Sequence, residues 1–368
     1  MQSRLPLLGE YIKTKSAAQS KFLLLTFDLA KPMELLQPLI DIGAQIFVCG
    51  TANVYDQIKT LLVDHSRILR FQFIRNIHAD DFFREAAVFA PDYILSYNFY
   101  RKIPDRVFKL ASVAAVNFHP SLLPNYPGGA PHTKPIEMAD DIFGVSAHLI
   151  VTQFDSGHIM HQVSAPLPAN ATELWILARY NELMLQLINE FIAMLDGSNV
   201  PLYGNDPNGI KAPMRRMRDF WFNPRQKASV LEAQARARSS GLAPGLLVSV
   251  AKHKPLQILE IIVCNTVEEK LQQAFDAHPV GTLFFWGDRA YIKCGRGYLE
   301  LRIVRHLDIG TVSIERYFEI EQMDKQQSYL LVYPGLHSKM AAQANIKASW
   351  FYAPVDQKFG DSLWQDRW

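Results

Sequence analysis

The sequence predicts an α/β chain, a mostly parallel sheet with helices on both faces, followed by a small β-barrel. Three observations predict it. From residue 21, β-rich apolar runs alternate with stretches of helical periodicity. Residues 198–226 break that pattern with Pro, Gly and Asn, the composition of a surface linker. Beyond them, short β-rich segments follow one another with Gly or Pro at their joints, as small barrels require. The expected division is an N-terminal extension (1–20), a first domain (21–197), a linker (198–226), a barrel domain (227–320) and a C-terminal extension (321–368).

Within the first domain, "KFLLLTF" is a strand and "KPMELLQPLIDIG" a helix interrupted by Pro. "AQIFVCG" is a strand ending in Gly, "NVYDQIKTLLVDHS" a helix, and "RILRFQFI" a strand. "HADDFFREAAVFA" opens with acids that suit a helix N-terminus. "PDYILSYNF" is a strand, "IPDRVFKLA" a short helix, "VAAVNF" a strand, "PIEMADD" a helix and "GVSAHLIV" a strand. The amphipathic "TELWILARYNELMLQLINEFIAMLDG" closes the domain, with Thr172 as N-cap and Gly197 as the stop. After the linker come a helix, "KASVLEAQARARS", and the strands "GLLVSVA", "LQILEIIV", "GTLFFWG", "RAYIKCG" and "GYLELRIVR".

Composition narrows the function classes. At 368 residues, 49% apolar and 20% charged, the chain reads as globular with room for two cores. No apolar run has the length of a membrane span, and the first twenty residues lack the apolar core of a signal peptide. Three scattered cysteines fit a reduced, cytoplasmic setting and argue against a Cys-based zinc site. Net charge is −4 over residues 1–210 and +6 over 211–368, so the second half alone could meet a polyanion. There is no Walker A loop and no GxGxxG.

The densest chemistry lies in "AAVNFHPSLLPNYPGGAPHTKPI", residues 114–136. On a strand, Asn117 and His119 share one side, and ligands of such sheets sit beyond the strand ends. Taken singly, each is an ordinary turn or structural residue. A second segment, "VTQFDSGHIMHQ", places Asp155 in a Gly-containing turn that can aim it back at the first. Ser121 lacks the strand–turn–helix setting of a hydrolase nucleophile. Amide, imidazole and carboxylate therefore suit a reaction in which the substrate brings the nucleophile, such as an amine attacking an acyl donor. Asn117 would stabilise the oxyanion, His119 move a proton and Asp155 orient it. The rival is a metal site drawn from His119, His132, His148, His158, His161 and Asp155, although HExxH is missing.

"NFHPSLLPNYPGGAP" followed by "GVSAHLIVTQFDSGHIMHQ" resembles the folate-dependent formyltransferases, whose hallmark is N-x-H-x-S-L-L-P, then G-V-T-x-H and a D-x-G loop. "DFWFNPRQKASVLEAQARARS" and "PVGTLFFWGDRAYIKCGRGYLELRIVR" are similar to the C-terminal domain of the methionyl-tRNA formyltransferases within that family. The resemblance implies a Rossmann-like catalytic domain and an OB-like barrel. It implies Asn117, His119 and Asp155 as catalytic residues. A loop at Leu95, Ser96, Tyr97 and Asn98 and a segment of Val151, Thr152, Gln153 and Phe154 would wall the pterin pocket, and Ser121, Leu122, Leu123 and Pro124 would shape the catalytic turn. The donor would be 10-formyltetrahydrofolate, with no metal, and the acceptor a primary amine: initiator methionyl-tRNA, met partly through the basic C-terminal domain, or a small amine such as a nucleotide-linked amino sugar. The aromatic–Arg–Gly of the family's turn is Tyr126–Pro127–Gly128 here, without an Arg for an anionic acceptor. A hydrolase acting on the same donor, or an inactive scaffold that binds RNA or another ligand, are the other readings.

Overall fold

The computed structural model describes residues 7–28, 32–206, 208–215, 217–239, 245–250, 256–265, 268–306 and 308–332. The chain divides into two units that separate after Met214, with the short pieces 136–139 and 169–174 grouped with the second. Most of the expected C-terminal extension, from 333 onward, and residues 1–6 lie outside the described residues.

The first unit is built on one sheet. Its strands are β1 (Leu7–Lys13), β2 (Lys21–Thr26), β3 (Gln45–Gly50), β4 (Leu69–Phe73), β5 (Tyr93–Tyr97), β6 (Ala114–His119), β7 (Ile142–Leu149), β8 (Ile159–Pro166) and β9 (Asn199–Tyr203). They lie in the order β1-β9-β8-β7-β6-β5-β2-β3-β4. Neighbours from β6 through β4 are parallel, joined by α1 (Pro32–Asp41), α2 (Ala52–Asp64), α3 (Asp80–Phe89) and α4 (Asp105–Phe108). The other half is antiparallel. Within it, β7 and β8 form a hairpin closed by residues 150–158, and hairpins are antiparallel. Two elements arise where the sequence reading set aside an extension and a linker: β1 and β9, paired with each other at the sheet edge.

The parallel strands are nearly continuous apolar runs because both sides are covered. On one side Leu23, Leu25, Phe47, Cys49 and Ile94 pack with Phe82, Ala86 and Phe89 of α3. On the other, α6 (Glu173–Ala193) lays Phe191 edge-on to Phe118 and Tyr180 edge-on to Phe143; along the chain, α5 (Lys134–Met138) falls between β6 and β7. Each fully buried Leu, Ile or Phe contributes about 1.5–3 kcal/mol. Since Phe118 faces α6, its neighbours Asn117 and His119 face the opposite side of β6.

The second unit holds α7 (Ala228–Arg236), β10 (Leu246–Val250), β11 (Leu256–Cys264), α8 (Glu269–Ala277), β12 (Thr282–Trp286), β13 (Arg289–Lys293), β14 (Tyr298–His306), β15 (Gly310–Ser313), α9 (Ile314–Ile320) and β16 (Tyr329–Val332). The order β11-β10-β16-β12-β13-β14 closes on itself through β11–β14 pairing, which makes a six-stranded barrel, and β15 is added outside β14. Closure needs β16, from the stretch read as extension: it sits between β10 and β12. Leu246, Val248, Leu256, Ile258, Leu283, Ile292, Leu299 and Leu301 fill the interior. Phe275 of α8 caps a satellite cluster with Phe284, Tyr291 and Tyr298. Among the described residues, no helix is long and apolar enough to cross a membrane.

Candidate active site

Strand β6 delivers Asn117 and His119 to its C-terminal end. His119 is 4% exposed, and its Nε2 lies 3.1 Å from the Tyr126 carbonyl oxygen. A carbonyl only accepts, so Nε2 carries the hydrogen. The other ring nitrogen, Nδ1, lies 3.6 Å from Asp155 Oδ1.

Asp155 sits in the turn between β7 and β8 with a left-handed backbone, φ +51°. Two anchors hold it there. The Gly128 amide donates to its Oδ2 at 2.8 Å, and the Asn205 carboxamide donates to the carbonyls of Asp155 and Gly157 at 2.9 and 2.8 Å. Gly157 is required for the turn, because a Cβ there would lie 1.9 Å from the Leu149 carbonyl oxygen. Gly128 has φ +122°, and its Cβ would meet the Ala212 oxygen at 2.6 Å. The acid is thus fixed by backbone geometry that side chains at these glycines would not tolerate.

A third ring completes the cluster. His148, left without a role by sequence, lies opposite Asn117 across the β6–β7 ladder and is buried. Burial is the main cause that brings its pKa down to about 4, with a further push from His119, opposed by Asp155. His148 is therefore neutral near pH 7. Its Nδ1 donates to the Leu149 carbonyl at 3.0 Å, which leaves Nε2 as an acceptor 3.1 Å from Asn117 Nδ2. That contact settles which way the Asn117 carboxamide points: NH₂ toward His148, with its second hydrogen available to another acceptor. Asp155 Oδ1 is 3.7 Å from the same His148 nitrogen.

The turn after His119 is pinned from below. Ser121 Oγ donates to the Asn125 carbonyl at 2.8 Å. Ser146 Oγ accepts from the Leu123 amide at 3.0 Å and donates to the Ser121 carbonyl at 2.6 Å. Gln162 donates to Ser146 Oγ and to the Leu123 carbonyl. Residues 209–212 strap the turn from outside, the Tyr126 amide donating to Ile210 and the Ala212 amide to Pro127. Ser121 and Leu123 are buried in this framework, while Leu122 and Pro124 are half-buried.

Leu95, Ser96 and Tyr97, expected in a loop, are the last residues of β5 and buried; only Asn98, at φ +48°, lies beyond the strand. They are strand residues because Leu95 and Ser96 pair with Leu24 and Leu25 of β2. Val151, Thr152, Gln153 and Phe154 lie in the exposed segment leading to Asp155, where Thr152 Oγ1 donates to Asp105 at 2.8 Å. Of the residues in the metal reading, His119, His148 and Asp155 meet at the site, whereas His158 and His161 take other partners. His158, just ahead of β8, meets Glu10 at 3.5 Å, and His161 meets Glu190 at 2.5 Å. Among the described residues no three His, Cys, Asp or Glu side chains form a group able to hold a metal.

Residues 53–192 match the family model described as formyl transferase. That stretch of the chain is similar to the formyl transferase family. Asn117, His119, His148 and Asp155 all fall inside that stretch, whereas the strap at 209–212 and Asn205 fall beyond it. A methionyl-tRNA formyltransferase of Koribacter versatilis is 27% identical over 214 residues, which cover 50% of this chain and 69% of that protein. One from Synechococcus is 28% identical over 145 residues, 39% of this chain and 45% of its own length. The chain thus spans less than half of the second relative. In fold, it is similar to an N-formyltransferase of Helicobacter canadensis solved with folinic acid and dTDP-3-aminofucose: TM-score 0.55, 16% identity, 77% of this chain and 98% of that one.

Proposed function

We propose that the chain moves a formyl group from 10-formyltetrahydrofolate to a primary amine. The observation that carries this reading is the meeting of an oriented carboxamide (Asn117), a directed imidazole (His119) and an anchored carboxylate (Asp155) at one strand end. The amine attacks the formyl carbon, and the carbonyl oxygen takes the negative charge and accepts from the second Asn117 N–H. His119 Nδ1 takes the ammonium proton, and the resulting cation faces the Asp155 carboxylate while the Tyr126 carbonyl holds the ring through Nε2. As the carbon–N10 bond breaks, that proton passes to the departing nitrogen. Leu95 to Asn98 and Val151 to Phe154 would wall the folate.

For the acceptor, two classes each have an observation in favour. A closed barrel following the domain suits a methionyl-tRNA-like substrate. Pro127 in the place of an Arg suits a small amine, as does the barrel's surface chemistry: Arg302 is bonded to Glu300 and near Glu260, and Arg289 is 3.6 Å from Glu300. Arginines neutralised in this way have less to offer phosphate. The full chain, incubated with 10-formyltetrahydrofolate and either methionyl initiator tRNA, an amino-sugar nucleotide or no acceptor, decides the matter by release of tetrahydrofolate. Release that requires one amine is the expected result. Release without any amine makes the protein a hydrolase, and no release in any arm overturns the enzymatic reading.

A further inference from the structure

The bond that fixes the His119 ring depends on a residue held in an unusual conformation. His119 Nε2 meets the Tyr126 carbonyl oxygen at 3.1 Å, and Tyr126 has a left-handed backbone, φ +64°. A bulky side chain rarely adopts that conformation. Tyr126 also precedes Pro127, and the residue before a proline is driven toward extended backbone with negative φ. Two independent steric preferences therefore oppose the conformation that aims this carbonyl at the imidazole.

Two bonds hold the residue against them. At the main chain, the Tyr126 amide donates to the Ile210 carbonyl at 2.7 Å. At the far end of the buried side chain, the phenol donates to Asp140 Oδ2 at 2.6 Å. Burial, then Asp140, raises the phenol's pKa, so the hydrogen stays on the tyrosine and the carboxylate accepts it. Such a charge-assisted bond is among the stronger kinds. Asp140 is fixed in turn by the backbone on either side. Its amide donates to the Pro135 carbonyl at 2.9 Å, and the next carbonyl, that of Asp141, accepts from the Leu167 amide at 2.8 Å. Ser121 Oγ comes within 3.4 Å of the Tyr126 oxygen, but its shorter bond, 2.8 Å, goes to Asn125.

The direction of this carbonyl decides what the imidazole can do. For Nδ1 to take a proton from the amine, the ring's own hydrogen must sit on Nε2, and the Tyr126 oxygen is the acceptor that keeps it there. With the carbonyl turned away, Nε2 loses that acceptor and the hydrogen is drawn to Nδ1, which lies 3.6 Å from Asp155 Oδ1. In that tautomer Nδ1 has no lone pair for the amine. We infer that Tyr126 and Asp140 are positioning residues for the formyl transfer: their phenol–carboxylate bond holds the Tyr126 backbone and, through its carbonyl, the tautomer of His119. This inference rests on the amine-formylating reading and adds two residues to its machinery.

Tyr180 of α6 supplies a control. It is buried, and Tyr126 and Asp140 are near enough to add to the upward push that burial gives its pKa. Its hydroxyl nevertheless bonds to no partner among the described residues. Tyr180→Phe thus removes a hydroxyl from the same surroundings without touching the Tyr126–Asp140 bond.

Two readouts on the full chain test the inference. Ring-nitrogen NMR of labelled protein, with the His119 signals assigned by their loss in His119→Gln, reads the tautomer at mildly alkaline pH without any substrate. The wild type is expected to carry the hydrogen on Nε2, and Tyr126→Phe and Asp140→Ala to show a mixture with Nδ1. Steady-state formylation reads the consequence. Each of these two variants is expected to lower kcat about tenfold, the equivalent of one hydrogen bond to a charged group, with donor KM changed by less than about twofold. The double variant is expected to be no slower than either single one, since both remove the same bond. Asp140→Asn keeps an oxygen that accepts from the phenol and is expected within about threefold of wild type, while Tyr180→Phe is expected to match wild type. Losses that multiply to about a hundredfold in the double variant overturn the inference, as does Asp140→Asn being as slow as Asp140→Ala. So does a wild type with its hydrogen on Nδ1, a result that needs no variant to fold. A wild type that formylates no amine, yet holds the Nε2 tautomer and loses it in Tyr126→Phe, overturns the proposed activity and leaves the positioning. Undiminished kcat in Tyr126→Phe does the reverse.

Discussion

Replacing His148 by Gln removes an imidazole that the fold holds in its neutral form, and the effect should depend on pH with a definite sign. The native pKa is about 4, below the ordinary 6.5. Between those values the unfolded chain takes up the proton first, so wild-type stability is full above about pH 6.5 and is lost as the pH falls toward 4. Linkage between those two values gives a loss of roughly 2–3 kcal/mol between pH 7.5 and pH 4.5 attributable to this one group. His148→Gln keeps a side-chain acceptor for Asn117 and has no proton to take up. Urea unfolding of both proteins at the two pH values measures the contrast: on acidification the variant should lose roughly 2–3 kcal/mol less than the wild type. Activity should follow, since a protonated Nε2 would set a donor against the Asn117 N–H and free the carboxamide to rotate. Equal acid losses in the two proteins would refute both the neutral state and the orientation drawn from it.

Other outcomes follow from the same geometry. Asn117→Ala should lower kcat by roughly a hundredfold or more with little change in donor KM, read by tetrahydrofolate release, since it removes an oxyanion donor. Gly128→Ala should cost about 2 kcal/mol or more in unfolding free energy, because φ is +122° and the new Cβ would press on Ala212, and it should also lower kcat by displacing the amide that holds Asp155. Phe275→Ala should destabilise the barrel by about 3–5 kcal/mol in thermal unfolding, because a fully buried ring against Phe284, Tyr291 and Tyr298 leaves a cavity.

The parallel half of the sheet was legible because strands covered on both sides must be apolar runs, and β2, β3 and β5 read that way. The edge was not. β1, "LLGEYIK", is interrupted by Gly9 and Glu10 and so shows no continuous apolar run, and Pro201 gives β9 a residue without an amide hydrogen, which reads as linker. β16 is four residues long inside a polar stretch, and only barrel closure gives it a place. In the site, the i, i+2 spacing placed Asn117 and His119 on one side of a strand, and the Gly-containing turn pointed to Asp155. His148 depends on register: the antiparallel β6–β7 pairing sets residue 148 opposite residue 117, and no local pattern in "GVSAHLIV" announces it. Gly128 and Asn205 were invisible for a similar reason, since each acts on Asp155 from a distant part of the chain.

The strap at 209–212 has a practical consequence for anyone cutting this chain to its smallest working piece. A fragment that stopped after β9 would retain every strand of the first sheet and the whole stretch that matches the family. It would nevertheless lack Asn205 and the backbone bonds from Ile210 and Ala212 that brace Tyr126, Pro127 and Ala130. Such a truncation should fold and yet hold its acid loosely, so a shortened version needs to run through residue 212.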